Sequence, residues 1–159
     1  MYVNKRIVKM TRINSAIPVE HLTDEHLLAE HREIKRLPSV LSKVNKKTVR
    51  IPSKFCLGPG HVKFFLNKMG FIFNRYLRLY YECKRRGFNV QYYGDNWFRN
   101  DDICKPFWHG YATNAEEKQL LIERITERIL NSNKEYFHYC GKQITKQQAI
   151  HLLQYGQYT

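Results

Sequence analysis

The chain is 159 residues long, the size of one domain with a real core and too short for two. Its 27 lysines and arginines against 14 acidic residues leave a net charge of +13 at pH 7, and 43% of its residues are hydrophobic. That balance excludes a disordered chain and describes a basic folded protein whose partner is a polyanion, nucleic acid before membrane because the charge is spread along the whole length. No apolar run approaches the roughly 18 residues of a membrane span. The basic opening Met1-Tyr2-Val3-Asn4-Lys5-Arg6 also lacks the apolar stretch of a secretory signal, so an intracellular protein without a membrane partner is expected.

In chain order, Thr23-Asp24 signals a helix start, and Leu27, Leu28, His31 and Ile34 follow on one face, with Pro38 expected to end the element. A short second piece over residues 39–47 leads into a loop made basic by Lys43, Lys46, Lys47 and Arg50. After the turn Gly58-Pro59-Gly60, apolar residues recur with helical spacing at Val62, Phe65, Leu66, Met69, Phe73, Tyr76, Leu77 and Tyr80. This predicts the longest helix, closed by Lys84-Arg85-Arg86 with Gly87 as a left-handed cap. Its aromatic stripe reads as core packing, with a stacking platform as the alternative.

Residues 88–111 are rich in Gly, Asn, Asp and aromatics without a sustained period and read as an ordered loop. A last clear helix is predicted over residues 114–132, with Leu121, Ile122, Ile125 and Ile129 inward and Arg124 and Arg128 four apart on its other side. The polar tail beyond Lys142, with Ile150, Leu152 and Leu153, fits a short docking helix. No repeat and no strand ladder is evident, so the expected fold is all-α, a single compact domain of about three main helices with long ordered loops. Cys56, Cys83, Cys104 and Cys140 contain no Cys-x-x-Cys pair, and the histidines form no cluster with ligand spacing. Free thiols and no metal are expected.

Two local features carry chemistry. Met10-Thr11-Arg12-Ile13-Asn14 places a small residue after a second methionine. Translation from Met10 followed by methionine removal would give Thr11 a free α-amine, whose pKa of about 7.7–8.0 against about 10.4 for lysine makes it a nucleophile near neutral pH. The alternative is that Met10 and Thr11 are ordinary internal residues. In Glu30-His31-Arg32-Glu33-Ile34-Lys35-Arg36, the arginines Arg32 and Arg36 share a helix face and suit successive phosphates. Glu33, turned about 100° from Arg32, is a carboxylate able to support a developing cation. The alternative here is a solvated face of ion pairs.

These features, together with Phe55-Cys56-Leu57-Gly58-Pro59-Gly60-His61-Val62-Lys63-Phe64-Phe65 and Glu82-Cys83-Lys84-Arg85-Arg86-Gly87-Phe88-Asn89, resemble the pyrimidine-dimer DNA glycosylase family. The resemblance begins at Thr11-Arg12-Ile13-Asn14, continues through His26-Leu27-Leu28-Ala29-Glu30-His31-Arg32-Glu33, and closes at Tyr136-Phe137-His138-Tyr139-Cys140-Gly141-Lys142. It implies a compact helical enzyme, monomeric and free of cofactors, that acts on double-stranded DNA containing damaged bases. Such an enzyme removes an ultraviolet-damaged pyrimidine and nicks the strand at the abasic site.

By the resemblance, the Thr11 amine attacks C1′ of the sugar and forms an imine, Glu33 stabilises the cationic sugar, and β-elimination follows. Base flipping at the deformable lesion is implied as well. Arg12, His26, Arg32 and Arg36 are carried over as residues that hold the DNA backbone or order the site, Arg124 and Arg128 as a basic pair, and Gly141 and Lys142 as DNA contacts. The implied organisation is an extension over residues 1–10, a catalytic domain over 11–142 and a tail over 143–159. The alternatives are a non-catalytic DNA-binding relative, should the extension block Thr11, and the same chemistry on another damaged or modified base. The second is suggested by Tyr136, Phe137, His138 and Cys140 in place of the family's tryptophan-containing segment.

Overall fold

A computed structural model describes residues 13–99 and 101–159; Thr11, Arg12 and the extension before them lie outside the described residues. The Thr23 hydroxyl accepts the amide of His26 and starts helix α1 (Asp24–Ile34), whose Leu27, His31 and Ile34 turn into the core. The proline does not end it. Lys35 and Arg36 keep helical dihedrals beyond Ile34, and Pro38 sits in the first turn of α2 (Leu37–Lys43), where a missing amide leaves no bond unmade.

The long helix expected from Val62 onward is two helices. After a 3₁₀ turn at Gly58–Gly60, α3 (His61–Phe64) makes one turn and stops, and α4 (Met69–Arg85) starts afresh. Lys68 between them leaves the helical region, with φ −128° and ψ 42°. Its ammonium donates to the Phe64 carbonyl at 2.8 Å and to the Asn67 side chain at 2.8 Å, so it covers an acceptor that the break exposes. α4 closes as the sequence predicts: Gly87 takes φ +85°, Phe88 donates to the Cys83 carbonyl at 2.9 Å and Gly87 to that of Lys84 at 2.9 Å.

Residues 88–111 are more helical than their composition suggests. They contain α5 (Asp95–Arg99), α6 (Asp101–Cys104) and a 3₁₀ turn at Lys105–Phe107. Trp97 organises them: it is fully buried, with its ring 5.1 Å from Tyr76 and 5.6 Å from Phe73 of α4. α7 (Ala115–Asn131) starts at Asn114, which accepts the Glu117 amide, and buries Leu121, Ile122, Ile125 and Ile129 as predicted.

The all-α expectation holds for most of the described residues and fails at the next segment. β1 (Tyr136–Tyr139) and β2 (Lys142–Thr145) form an antiparallel hairpin, so the domain is mostly helical with a small two-stranded sheet. Cys140 (φ 51°) and Gly141 (φ 79°) make its two-residue turn, the left-handed pair that matches the twist of short hairpins. A fourth substantial helix follows directly. α8 (Lys146–Tyr155) opens with a capping box of Thr145 and Gln148 and buries Ala149, Leu152 and Leu153 against α7 and a 3₁₀ turn at Val19–His21.

α1 packs on α4, β1 packs on α1, and α2 rests on α5 and α6. Two buried arginines stitch the layers together. Arg75 grips both oxygens of Glu30 at 2.7 and 3.0 Å and the Ile17 carbonyl at 2.6 Å. Arg86, whose side chain is wholly buried, binds Glu82 at 2.9 Å, Asp24 at 3.0 Å and the Leu22 carbonyl at 2.8 Å. Among the described residues no helix is long and apolar enough to cross a membrane.

Candidate active site

The C-terminal turn of α1 presents Glu33 with 27% of its side chain exposed. One carboxylate oxygen accepts from Arg36 at 2.9 Å and the other faces the Arg32 Nε at 3.8 Å. Sequence neighbours diverge on a helix, but Arg32 is long enough to fold back toward Glu33. Arg36 is placed by the backbone, since its amide donates to the Glu33 carbonyl at 3.1 Å as α1 turns into α2. Both guanidinium groups stay open to solvent, 69% for Arg32 and 60% for Arg36. Lys35 adds a third cation to this rim, its ammonium 3.7 Å from the centre of the Tyr93 ring.

Behind the rim stands an aromatic wall. The His31 ring is 5.5 Å from Tyr76 and 6.3 Å from both Tyr80 and Tyr93. Burial, aided by the nearby Lys35 charge, holds His31 below the ordinary histidine range. Burial also pushes the Tyr76 phenol up to about 12, and its oxygen accepts the Tyr93 amide at 2.5 Å. The stripe of α4 is therefore packing where it faces α1, as the spacing suggests, while Tyr81 and Tyr92 remain exposed beside it.

The other end of α1 holds the hairpin. Glu33 lies seven positions after His26, which places them about 10 Å apart along the axis and on nearly the same face. The His26 Nδ1 meets the Thr23 hydroxyl at 2.7 Å and its ring stacks on Phe137 of β1 at 5.8 Å. Burial pushes His26 down to about 4, so at neutral pH it is an uncharged ring that orders this end of the helix.

The Asp24 carboxylate accepts both amides of the hairpin turn, from Cys140 at 3.0 Å and Gly141 at 2.8 Å. Glu25 accepts the His138 amide at 3.0 Å and pairs with its ring at 2.6 Å. Burial raises the Glu25 carboxyl, but the hydrogen bonds and charge of His138 outweigh it and hold the group below the usual carboxylate range. Lys142 opens β2 opposite Tyr139 and is exposed.

The structure thus brings Arg32, Glu33 and Arg36 together at one end of α1, and His26, Gly141 and Lys142 at the other. Arg124 and Arg128 stand apart on α7, which packs on α8. Arg128 is exposed, whereas Nε and one terminal nitrogen of Arg124 are shut off from solvent. Thr11 and Arg12 lie outside the described residues, but the chain that follows them is firmly seated: Ile13 is fully buried and its amide donates to His61 Nε2 at 3.0 Å. Sequence reasoning assigned no part to Asp24, Glu25 or His61. Asp24 reads in the sequence only as part of the helix-start signal at Thr23-Asp24, Glu25 carries no signal of its own, and His61 sits inside a motif without a separate role.

A mostly helical, strongly basic domain with the Glu33 carboxylate set among open arginines is suited to meeting a polyanion. The comparison with protein families is specific. A model of the pyrimidine dimer DNA glycosylase family matches residues 10–93, more than half of the chain, and the chain belongs to that family. Membership carries a DNA substrate and a place in DNA repair. The matched stretch includes Thr11, Arg12, His26, Arg32, Glu33 and Arg36 and ends before the hairpin.

Proposed function

We propose that the protein excises ultraviolet-induced pyrimidine dimers and nicks the resulting abasic site through an imine on the Thr11 α-amine. The observation that carries the reading is the seat of Glu33: half-buried, with Arg36 at 2.9 Å and Arg32 at 3.8 Å, inside the stretch that matches the family. The reading requires a mature chain that starts at Thr11.

In this reading the Thr11 nitrogen lone pair forms a bond to C1′ while the glycosidic bond breaks and its electron pair leaves with the base, which gains a proton. The nitrogen gives up one proton and O4′ gains one as the C1′–O4′ bond breaks and the sugar ring opens, leaving the protonated C1′=N imine. Glu33 faces the positive charge that develops at C1′ and assists the proton transfers. The imine then acts as an electron sink: a proton leaves C2′, and the C3′–O bond breaks with departure of the 3′ phosphate. Arg32 and Arg36 hold the flanking phosphates, and the hairpin, with Tyr136 and His138 exposed, lies against the duplex beyond.

The test is borohydride trapping on an abasic-site duplex with mass mapping of the linked peptide. The expected adduct is on the α-amine of Thr11. An intact chain from Met1 that binds duplex but gives no adduct would leave a DNA-binding protein without this chemistry. A second reading keeps the mechanism and changes the lesion, since Tyr136, 46% exposed, and His138 stand where the family carries a tryptophan-containing segment. Comparing base release from irradiated and alkylated duplexes separates the two.

A further inference from the structure

His61 opens α3 directly after the Gly58–Gly60 turn and is 1% exposed. Phe55 and Phe65 meet its ring edge-on, with centroids at 5.5 and 5.3 Å. Its Nδ1 lies 3.0 Å from the Cys56 carbonyl, which can only accept, and its Nε2 lies 3.0 Å from the Ile13 N–H, which can only donate, so a ring proton on Nδ1 satisfies both neighbours. In the neutral ring Nε2 is then an acceptor, and the Ile13 N–H donates to it at 3.0 Å; the Ile13 carbonyl oxygen lies 3.1 Å from the same nitrogen. A buried imidazole, itself fixed by a carbonyl and two phenyl rings, therefore holds one particular backbone amide across 48 positions of sequence.

That amide is two residues downstream of Thr11. Two residues span at most about 7 Å of extended chain, so whatever fixes the Ile13 nitrogen sets the radius within which a Thr11 nitrogen can act. The Ile13 side chain, fully buried, anchors the same residue from its other side. A chain end is otherwise the loosest part of a protein, and misplacing a nucleophile by about 1 Å can cost about 100-fold in rate.

We infer that His61 is a positioning residue for the Thr11 α-amine, acting through the Ile13 amide and not touching substrate. The inference rests on the proposed role of Thr11.

Two substitutions separate this role from simple packing. His61→Gln carries an amide group to the position of Nε2 and keeps a partner for Ile13. His61→Asn places its amide near the position of Nδ1, keeps the Cys56 bond and falls short of Ile13. Both lose the ring between Phe55 and Phe65, so the packing defect is shared. The measurements are the single-turnover trapping rate on an abasic-site duplex at saturating DNA, the duplex Kd and the Tm.

We expect Asn to slow trapping tenfold to a hundredfold with Kd within twofold, and Gln to recover most of the rate at a similar Tm. Equal trapping by the two variants, or rates that follow Tm alone, would overturn the inference. A readout without any variant is the ¹⁵N scalar coupling between the Ile13 amide and His61 Nε2 in the unmodified protein, whose absence would also overturn it. If the unmodified protein gives no adduct at Thr11, the nucleophile itself is refuted and His61 has nothing to position. If it does and Asn traps as fast, only the role of His61 falls.

Discussion

At the scale of single residues, the proposed function gives Glu33 and Arg36 different tasks although they lie 2.9 Å apart. Arg36 meets one Glu33 oxygen directly, and Arg32 stands 3.8 Å from the other. Glu33→Gln keeps the shape of the site and removes its negative charge, so base release on irradiated duplex should fall by at least about 100-fold with binding preserved. Unaltered release, measured by alkaline cleavage of a labelled duplex, would refute the role of Glu33. Arg32→Gln and Arg36→Gln act on the other quantity: each should lower the salt slope of duplex binding by about one. A salt titration by fluorescence anisotropy checks both.

His26 gives the residue scale its pH dependence. The folded imidazole titrates near 4 and an unfolded one near 6.5, so between those values the unfolded chain binds more protons. His26 therefore contributes fully to stability above about pH 6.5, and that contribution, up to about 3 kcal/mol, drains away as pH falls toward 4. His31, also held low by burial, adds in the same direction. Thermal melts across this range should show Tm falling with pH, and His26→Phe, which keeps a ring against Phe137, should flatten the curve.

At the scale of elements, helix starts were legible because their signals are local: Thr23 and Asn114 each cap the helix that the sequence placed after them. The end of α1 departs from the sequence expectation for a local reason too, since Pro38 is as acceptable in the first turn of a new helix as it is unacceptable in an old one. The hairpin could not be read. Each strand has only four residues, too few for an alternation to register, and the turn is held by Asp24, 116 positions away. The same holds within the site, where Arg32, Glu33 and Arg36 share one stretch of chain while His61 and Ile13 are 48 apart.

The hairpin's anchorage is testable at this scale. Asp24→Asn leaves one oxygen for two amides and takes a charge from buried Arg86, so it should cost about 2–3 kcal/mol. Amide exchange at Cys140 and Gly141 should rise before the rest of the molecule loosens. Uniform loss of protection would show that Asp24 supports the whole domain and not the hairpin.

At the scale of the whole molecule, the pair of Glu30 and Arg75 joins three parts: α1 through the carboxylate, α4 through the guanidinium and the N-terminal segment through the Ile17 carbonyl. Such a pair is no net gain over well-packed apolar residues, but breaking it strands a charge in the interior. Glu30→Gln should therefore destabilise by about 3–5 kcal/mol and lower Tm by about 10 °C. A change within 2 °C in calorimetry would show that water reaches Arg75. The net charge of +13 acts over the same scale, drawing the chain to DNA before any contact is made.

Asp24 holds the hairpin by its main chain: the two bonds at the turn go to peptide nitrogens, which every residue but proline supplies. Cys140 and Gly141 must accept left-handed dihedrals, but the outward residues Tyr136 and His138 owe nothing to those two bonds. Tyr136 can thus be exchanged over generations while the mounting on α1 stays constant, whereas the His138 side chain is itself part of that mounting through Glu25. Under the proposed function, the lesion recognised can then diverge in evolution faster than the reaction performed on it.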